Sequence, residues 1–566
     1  MSGPVYHLAP RRAGTALFGA SVPQVILIGL GVGGLAAGPR LLGGGSGTTA
    51  GVGVAVACLL FAFVRVGGEP LVHLLPVVAG YLLHTRLLHT RLLHTRLLHT
   101  RLLHTRLLHT CGGCRPCAVP SSARPTGIGA GAAGWGSAGR RSERVDLPAV
   151  PRSVEVVAAA TGCRVPTADG QPAGLVRDRR TGTITVVLDV RGGPFGLLDG
   201  AGKDRQTAGW ARVLTQFARE TPVARLGWTV RSGPATALDL PVEPRRQPES
   251  AAAARSRQPA RPPAGELLAY RRLLAEAQPA LIRHDLRLWL TVRPTRGGRH
   301  ADGRATALAA AETLADRCAS AGLHVRGLLS TAELTKTVLD HADPPPPEAS
   351  KALEAPSRAA EPDSASTPGL AARAHLPGAG TPRPPQRLQP DSLTLRAWWD
   401  AARIGDSWHR VFWIAGWPTG GLRPGWLDPL LHDVPCVRTL ALTMTPVPWR
   451  VSRRRINSDT VSVDTAVHLR DRHAFRVPVH LTQAHDDIDR RDAELTAGYP
   501  EYAYLGLLDV TAPSRHDLDD ASAAIVDLAA RCGIVDLRPL HGRHHTAWAA
   551  TLPLGLAPRP TVTGAP

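Results

Sequence analysis

From Ala13 to Gly38 the chain carries no charged residue over 26 positions, and a second uncharged stretch runs from Leu41 to Val64. A helix needs about 20 apolar residues to cross the hydrocarbon core of a bilayer, so either run is long enough. The stretch 25–38, Val-Ile-Leu-Ile-Gly-Leu-Gly-Val-Gly-Gly-Leu-Ala-Ala-Gly, supports two incompatible readings. As a strand, a glycine turn and a helix start, Gly29, Gly31 and Gly34 match G-x-G-x-x-G, which cradles a dinucleotide pyrophosphate. As one continuous helix, the same glycines let a second helix approach closely within lipid.

Charge decides between them. The dinucleotide fingerprint needs an acidic residue roughly 20 positions further on to hold the ribose. No Asp or Glu occurs before Glu69. The expectation is therefore a transmembrane helical hairpin, with spans at about 15–38 and 43–64. Gly29 and Gly33, and Gly34 and Gly38, are spaced G-x-x-x-G and are the expected helix-packing positions. A cleaved secretory signal does not fit, because a second apolar run follows almost at once. Arg11 and Arg12 precede the first run, and Arg65 follows the second, while Arg40 alone lies near the loop between them. Basic residues stay on the cytoplasmic side, so both termini are expected inside the cell and the chain in the inner membrane, in contact with lipid.

The 566 residues leave room for the hairpin plus two or three globular units of ordinary size. Lysine occurs only at Lys203, Lys336 and Lys351, so the net charge of +20 is almost all arginine. With abundant Ala, Gly and Pro, this composition reads as coding in a high-GC genome. Scattered positive charge suits the anionic inner leaflet and equally suits nucleic acid. Membrane proximity is preferred, and a membrane-tethered nucleic-acid-binding protein is the alternative.

Between Leu82 and Thr110 the chain repeats Leu-Leu-His-Thr-Arg, placing histidines at 84, 89, 94, 99, 104 and 109. Five residues advance a helix by about 500°, so no face collects these rings. In a strand an odd period sends successive rings to opposite faces. A slippage-expanded tandem repeat explains the pattern without a metal site. Cys111, Cys114 and Cys117 follow as C-x-x-C-x-x-C. A fourth thiolate is missing for a zinc site, although His109 could substitute. A Gly/Ala/Ser/Arg-rich linker is the reading taken for this stretch. The remaining cysteines are scattered singly, as in a reduced compartment.

Beyond this linker the expectation is an α+β architecture of two cytoplasmic, ferredoxin-like units at 148–341 and 393–566. They flank a Pro-rich linker at 342–392 and follow the membrane segment 1–81 and the repeat-bearing linker 82–147. In the first unit, Gly174–Asp178 and Thr183–Arg191 read as a β-hairpin around Arg179-Arg-Thr-Gly182. A helix at Asp204–Glu220, a strand at Ala224–Arg231, a helix from Glu266 to about Arg283, a strand at Leu286–Val292 and a helix at Ala305–Ala321 follow. In the second, strands are expected at His409–Gly416, Val437–Met444 and Tyr502–Val510. Helices are expected at about 452–473, about 479–497 and Asp517–Ala530. His541, His544 and His545 cluster in the tail, a weak metal motif on one glycine-bearing turn.

No set of catalytic residues emerges. The sequence holds no G-x-x-x-x-G-K-[ST], no H-E-x-x-H and no G-x-S-x-G, so neither a phosphate-binding loop nor a hydrolase elbow is present. Acid pairs such as Asp486-Asp487 and Asp519-Asp520 lie in polar helical stretches and read as solvated faces. Trp398, Trp399, Trp408, Trp413, Trp417 and Trp426 read as core rather than a base-stacking platform. The expectation is a protein without enzymatic activity, metal or cofactor.

The segments Ala16-Leu-Phe-Gly-Ala-Ser-Val-Pro-Gln24, Phe63-Val-Arg-Val-Gly-Gly-Glu-Pro70 and Leu74-Leu-Pro-Val-Val78 resemble an actinobacterial family of membrane proteins. That family has a PrgI-like N-terminal part, and its members are sometimes labelled type VII secretion EccE-like. The resemblance continues in Asp178-Arg-Arg-Thr-Gly-Thr183, Met444-Thr-Pro-Val-Pro448, Phe475-Arg-Val-Pro478, Glu494-Leu-Thr-Ala-Gly-Tyr499 and Tyr504-Leu-Gly-Leu-Leu-Asp-Val-Thr-Ala-Pro513. It implies an inner-membrane component of a type IV-related, conjugation-like secretion apparatus. The implied partners are a separate ATPase, other apparatus subunits and further copies of the chain. The pentapeptide repeat interrupts the place where the family's juxtamembrane helix leads into the soluble part.

Overall fold

The computed structural model describes residues 22–66, 69–72, 74, 77–79, 81, 144–146, 149–159, 163–193, 195–219, 222–234, 282–294, 300–344, 393–418, 422, 425–433, 436–473 and 476–556. The pentapeptide repeat, Cys111, Cys114, Cys117 and the expected helix over 266–281 lie outside these residues. Ile282 and Arg283, expected at that helix's end, instead begin a strand. The described chain is an α+β protein of helices and antiparallel sheet, and it separates into two compact units.

The first unit is a pair of helices, α1 (Val22–Leu42) and α2 (Gly44–Phe63), followed by the short strands β1 (Arg65–Val66) and β2 (Glu69–Pro70). Gly43 turns the chain between the helices with φ +67°, a left-handed conformation that glycine adopts without a Cβ clash.

The second unit is built on one 13-stranded sheet. Its first half contains β3 (Arg144–Asp146), β4 (Val154–Ala158), β5 (Gly174–Asp178), β6 (Thr183–Gly192), α3 (Gly200–Arg219), β7 (Val223–Pro234), β8 (Ile282–Val292), α4 (His300–Cys318), β9 (Leu323–Leu328) and α5 (Thr331–Ala342). The expected hairpin of β5 and β6 forms, pairing Asp178 with Thr183. The backbone N–H of Arg180 donates to the Asp178 carboxylate in its turn. Helix α5 starts on a capping box: the Ser330 hydroxyl accepts from the Glu333 N–H, and the Glu333 carboxylate accepts from the Ser330 N–H.

Its second half contains β10 (Leu395–Ala397), β11 (Ala402–Ile404), β12 (Ser407–Gly416), α6 (Asp428–His432), β13 (Val437–Pro446), α7 (Trp449–Arg472), α8 (Val479–Thr496), β14 (Tyr502–Ala512), α9 (Arg515–Arg531), β15 (Asp536–Pro539) and α10 (His544–Thr551). Helices α7 and α8 pack on each other through Ile456, Val463, Ile488 and Leu495.

The two halves follow one plan. In the first, β6 pairs with β9 on one side and β8 on the other, and β8 pairs with β7. In the second, β12 pairs with β15 and β14, and β14 pairs with β13. Each half also brings a preceding hairpin strand, β5 or β11, to the same edge of β6 or β12. The segments expected as separate units at 148–341 and 393–566 hydrogen-bond into one sheet. The seam is the antiparallel pairing of β7 with β13, from Arg438 opposite Ser232 to Met444 opposite Leu226.

Side chains of period two divide the core between the faces of the sheet. Leu188, Leu288 and Leu290 pack with Val213 and Phe217 of α3 and Leu314 of α4. On the same plan, Phe412, Ile414 and Leu508 pack with Leu518 and Ile525 of α9. The alternate residues Val187, Trp289, Val411, Trp413 and Leu507 form a core shared by both halves, with Val338 of α5 and Trp548 of α10.

Two segments cross the seam on this shared face. The end of α5 reaches the second half, where Asp343 accepts from the Ser407 hydroxyl at 2.6 Å. After α10 the chain returns to the first half, and a Cβ on Gly555 would stand 2.3 Å from Thr291 Oγ1 and 2.5 Å from Thr185 Oγ1.

The closest approach at the seam is Gly227, where an added Cβ would lie 2.3 Å from both the Leu442 carbonyl and the Trp289 ring. Overpacking a close-packed core costs about 1–3 kcal/mol. Gly227→Val is expected to lower the stability of the sheet by that order and its unfolding midpoint with it. Gly192→Val, at a site with nothing within 4 Å of a Cβ, should change it far less. Thermal unfolding of the two variants side by side checks the contrast.

Candidate functional site

Helices α1 and α2 run antiparallel and touch through small residues. A Cβ on Gly38 would meet the Gly47 carbonyl at 2.5 Å, and one on Gly34 would meet Val54 at 2.9 Å. Gly31 faces Cys58 and Ala55, and Gln24 Nε2 donates to the Ala62 carbonyl at 2.7 Å. Of the four expected packing glycines, Gly34 and Gly38 therefore sit at the helix–helix contact. Gly29 and Gly33 do not, because a Cβ at either meets nothing within 4 Å. Spacing identifies a G-x-x-x-G pair but not which helix face its partner takes. Away from the contact, Leu30, Val32, Val52, Leu60 and Phe63 are exposed, giving the pair an apolar outer surface. By length and composition, one helix among the described residues, Gly45–Phe63, is long and apolar enough to cross a membrane.

A polar cluster occupies the seam of the sheet. Register sets His284 of β8 beside Ser232 of β7, and Ser232 beside Arg438 of β13. Arg438 is buried to 1% exposure, and its guanidinium donates to the Leu430 carbonyl at 2.8 Å, the Cys436 carbonyl at 2.9 Å and the Leu431 carbonyl. These carbonyls belong to α6 and the turn after it, so the arginine fixes the end of α6 over the seam. His432, the last residue of α6, then meets His284. Ser232 Oγ and His284 Nδ1 lie 2.7 Å apart, and His284 Nε2 and His432 Nδ1 lie 3.3 Å apart. Partial burial, then the neighbouring His432 and Arg438, hold the His284 ring below its ordinary pKa.

A second polar cluster resembles a catalytic constellation in composition. His409 Nδ1 lies 3.0 Å from Asp509 Oδ2, and Thr511 Oγ1 lies 3.2 Å from the same nitrogen. His409 Nε2 lies 2.9 Å from the Ala342 carbonyl at the end of α5. Both ring nitrogens are thus engaged within the protein. His409 is fully buried and Asp509 is 2% exposed, so no substrate reaches either. The cluster joins α5 of one half to β12 and β14 of the other.

The tail histidines are also structural. His544 is fully buried, and its Nδ1 accepts from the Val411 N–H at 3.1 Å. The His541 ring stacks on Trp399 with centroids 6.0 Å apart. Among the described residues, no group of three or more His, Cys, Asp or Glu side chains is placed to hold a metal ion. The seam cluster is not legible in the sequence, since Ser232, His284 and Arg438 meet only through sheet register and His432 only through the placement of α6 over it. No protein-family model matches the chain, and no curated protein matches it.

Two outcomes follow from this geometry. Gly31→Cys would place its Cβ 3.3 Å from that of Cys58, close to the spacing of a disulfide. Under mild oxidant the variant should cross-link, so that trypsin cleavage at Arg40 leaves the helices joined until reductant is added. Gly33→Cys should not cross-link within the chain. Burial, followed by nearby positive groups, lowers both His341 and His544 to about 3, against an ordinary 6.5. The folded chain keeps these rings neutral where the unfolded chain protonates them. Their contribution to stability is therefore full above pH 6.5 and is lost as pH falls from there toward 3. The unfolding midpoint should drop across this window, and His341→Gln should flatten the slope.

Proposed function

We propose that the protein is a non-catalytic inner-membrane scaffold. In this reading α1 and α2 form a two-span anchor with both termini cytoplasmic, and the sheet unit docks a separate ATPase of a secretion or conjugation apparatus. The observation that carries the reading is the helix pair: glycine-packed within, apolar on its outer surface and without an acidic residue. The arginines on the far sides of the two apolar runs support the orientation.

The β-α-β-β-α-β order of the first half, repeated in the second with α7 and α8 inserted between β13 and β14, and strands hydrogen-bonded fourth, first, third, second in each half support a pair of ferredoxin-like units. The resemblance to PrgI-like and EccE-like proteins supports the apparatus, and the missing phosphate-binding loop supports a motor on another polypeptide. Further copies of the chain and other subunits would surround it.

The test is purification from native membranes in mild detergent. Co-purification with a phosphate-binding-loop ATPase is expected. A lone monomer that carries no ATPase would overturn the reading. The net charge of +20 favours one other outcome, a membrane-tethered nucleic-acid binder. Binding to DNA that falls steeply with rising salt would favour that outcome instead.

A further inference from the structure

We propose that the exposed edge of α7 docks on the anionic headgroups of a lipid surface. The inference rests on the two-span anchor proposed above, which supplies that surface.

Helices α7 and α8 pack through Ile456 and Val463 of α7 against Ile488 and Leu495 of α8. Opposite these buried residues, positions 450, 454, 457, 461, 465, 468 and 472 recur three or four apart and share one face. All seven are exposed, three are arginines and none is acidic. The stripe follows nearly the whole of this 24-residue helix, a length of about 33 Å.

The acids of α7 are placed elsewhere. Asp459 accepts from Arg491 at 3.1 Å and Asp464 stands 3.8 Å from His485, both toward α8. Asp471 lies about 100° around the helix from Arg472, off the stripe. Arg453 is likewise committed, pairing with Asp492 and lying over the Trp449 ring. The arginines of the stripe have no such use. Arg450, Arg454 and Arg472 make no hydrogen bond or ion pair among the described residues.

Nor do the first two stabilise the helix. Arg450 and Arg454 fall in its first two turns, where the helix dipole disfavours a cation, and the first turn holds no acid to offset them. Their positive charge is open to a partner outside the chain.

Apolar side chains separate the two basic ends. Val461, at the middle of the stripe, is 65% exposed, and Leu469, beside its last turn, is 53% exposed. Basic ends and an apolar middle suit a helix lying in a lipid interface. There aliphatic side chains enter the headgroup layer while arginines extend to the phosphates. In the anchored reading the facing leaflet is cytoplasmic and anionic, and it attracts each arginine. A nucleic-acid backbone also offers charge to the arginines but nothing apolar to Val461 and Leu469, which decides for lipid.

The test is hydroxyl-radical footprinting of the full chain in nanodiscs of phosphatidylcholine, alone or mixed with phosphatidylglycerol. Oxidation of Val461, His468 and Leu469 should fall several-fold in the mixed discs and recover as salt is raised. Each arginine removed should weaken docking about five-fold. Arg450→Glu combined with Arg454→Glu should therefore restore oxidation to its level in neutral discs. Both sites are exposed and acids suit a helix start, so this variant should keep the wild-type unfolding midpoint. Equal oxidation in the two discs sinks the proposal, as does protection that survives the double variant. Protection by added DNA in neutral discs, without protection by phosphatidylglycerol, would assign the stripe to nucleic acid instead. A chain that enters neither disc fails the anchor reading on its own. The same footprint with vesicles of the two compositions then decides the docking.

Discussion

The antiparallel pairing of β7 with β13 is the contact on which the rest of the sheet architecture depends. Each strand ends the four-strand order of its own half, and alone each would present a row of unpaired N–H and C=O groups. Exposed edges of this kind invite pairing with any other chain. Joining them satisfies both at once and makes one sheet from two halves. The join demands a residue with no side chain at Gly227, since the Trp289 ring and the Leu442 carbonyl already fill the space. It also links residues far apart in sequence, Leu226 with Met444, so loop closure must precede any gain from the pairing.

Chemically capable residues serve in this molecule as joints. His409 and Asp509 have the composition of a proton-transfer pair, yet they are buried and tie the end of α5 to the neighbouring half. Removing one member of such a buried pair leaves the other polar group without its partner, a cost of about 1–3 kcal/mol in comparable cases. Arg438 behaves similarly, with its donors spent on the backbone carbonyls of Leu430, Leu431 and Cys436. Composition alone cannot separate a joint from a site, because the difference lies in access and in which lone pairs are already committed.

The long strands were legible as apolar runs of strand length, and the structure alternates their side chains between two cores. In Val411-Phe-Trp-Ile414, odd positions face the shared core and even positions face α9, and the same period marks β6, β13 and β14. Helix α9 was legible from its acidic start. Strands β10, β11 and β15 were not, since three or four residues hold too few alternations to register. Helix α5 carried a readable Ser330-x-x-Glu333 cap that went unused. Helix α10 had no readable period: from Ala547 to Thr551 every residue is buried, so no polar face marks its rotation. The glycines of α1 show the same limit. Their spacing is visible in the sequence, but the face that meets α2 is decided by both helices together.

The crossing of the chain near Gly555 bears on how the molecule is made. Leu552 and Leu554, each 1% exposed, belong to the core that also holds Val176 and Val187, strands synthesised far earlier. As a ribosome delivers the polypeptide, the first half emerges with that part of its apolar surface uncovered. It stays so until the second half has formed its strands and the Leu552–Gly555 segment has left the exit tunnel. A chain interrupted after β15 would still present a nearly complete set of strands. It would lack the segment that covers Thr185 and Thr291, leaving an adhesive face for chaperones or proteases to recognise.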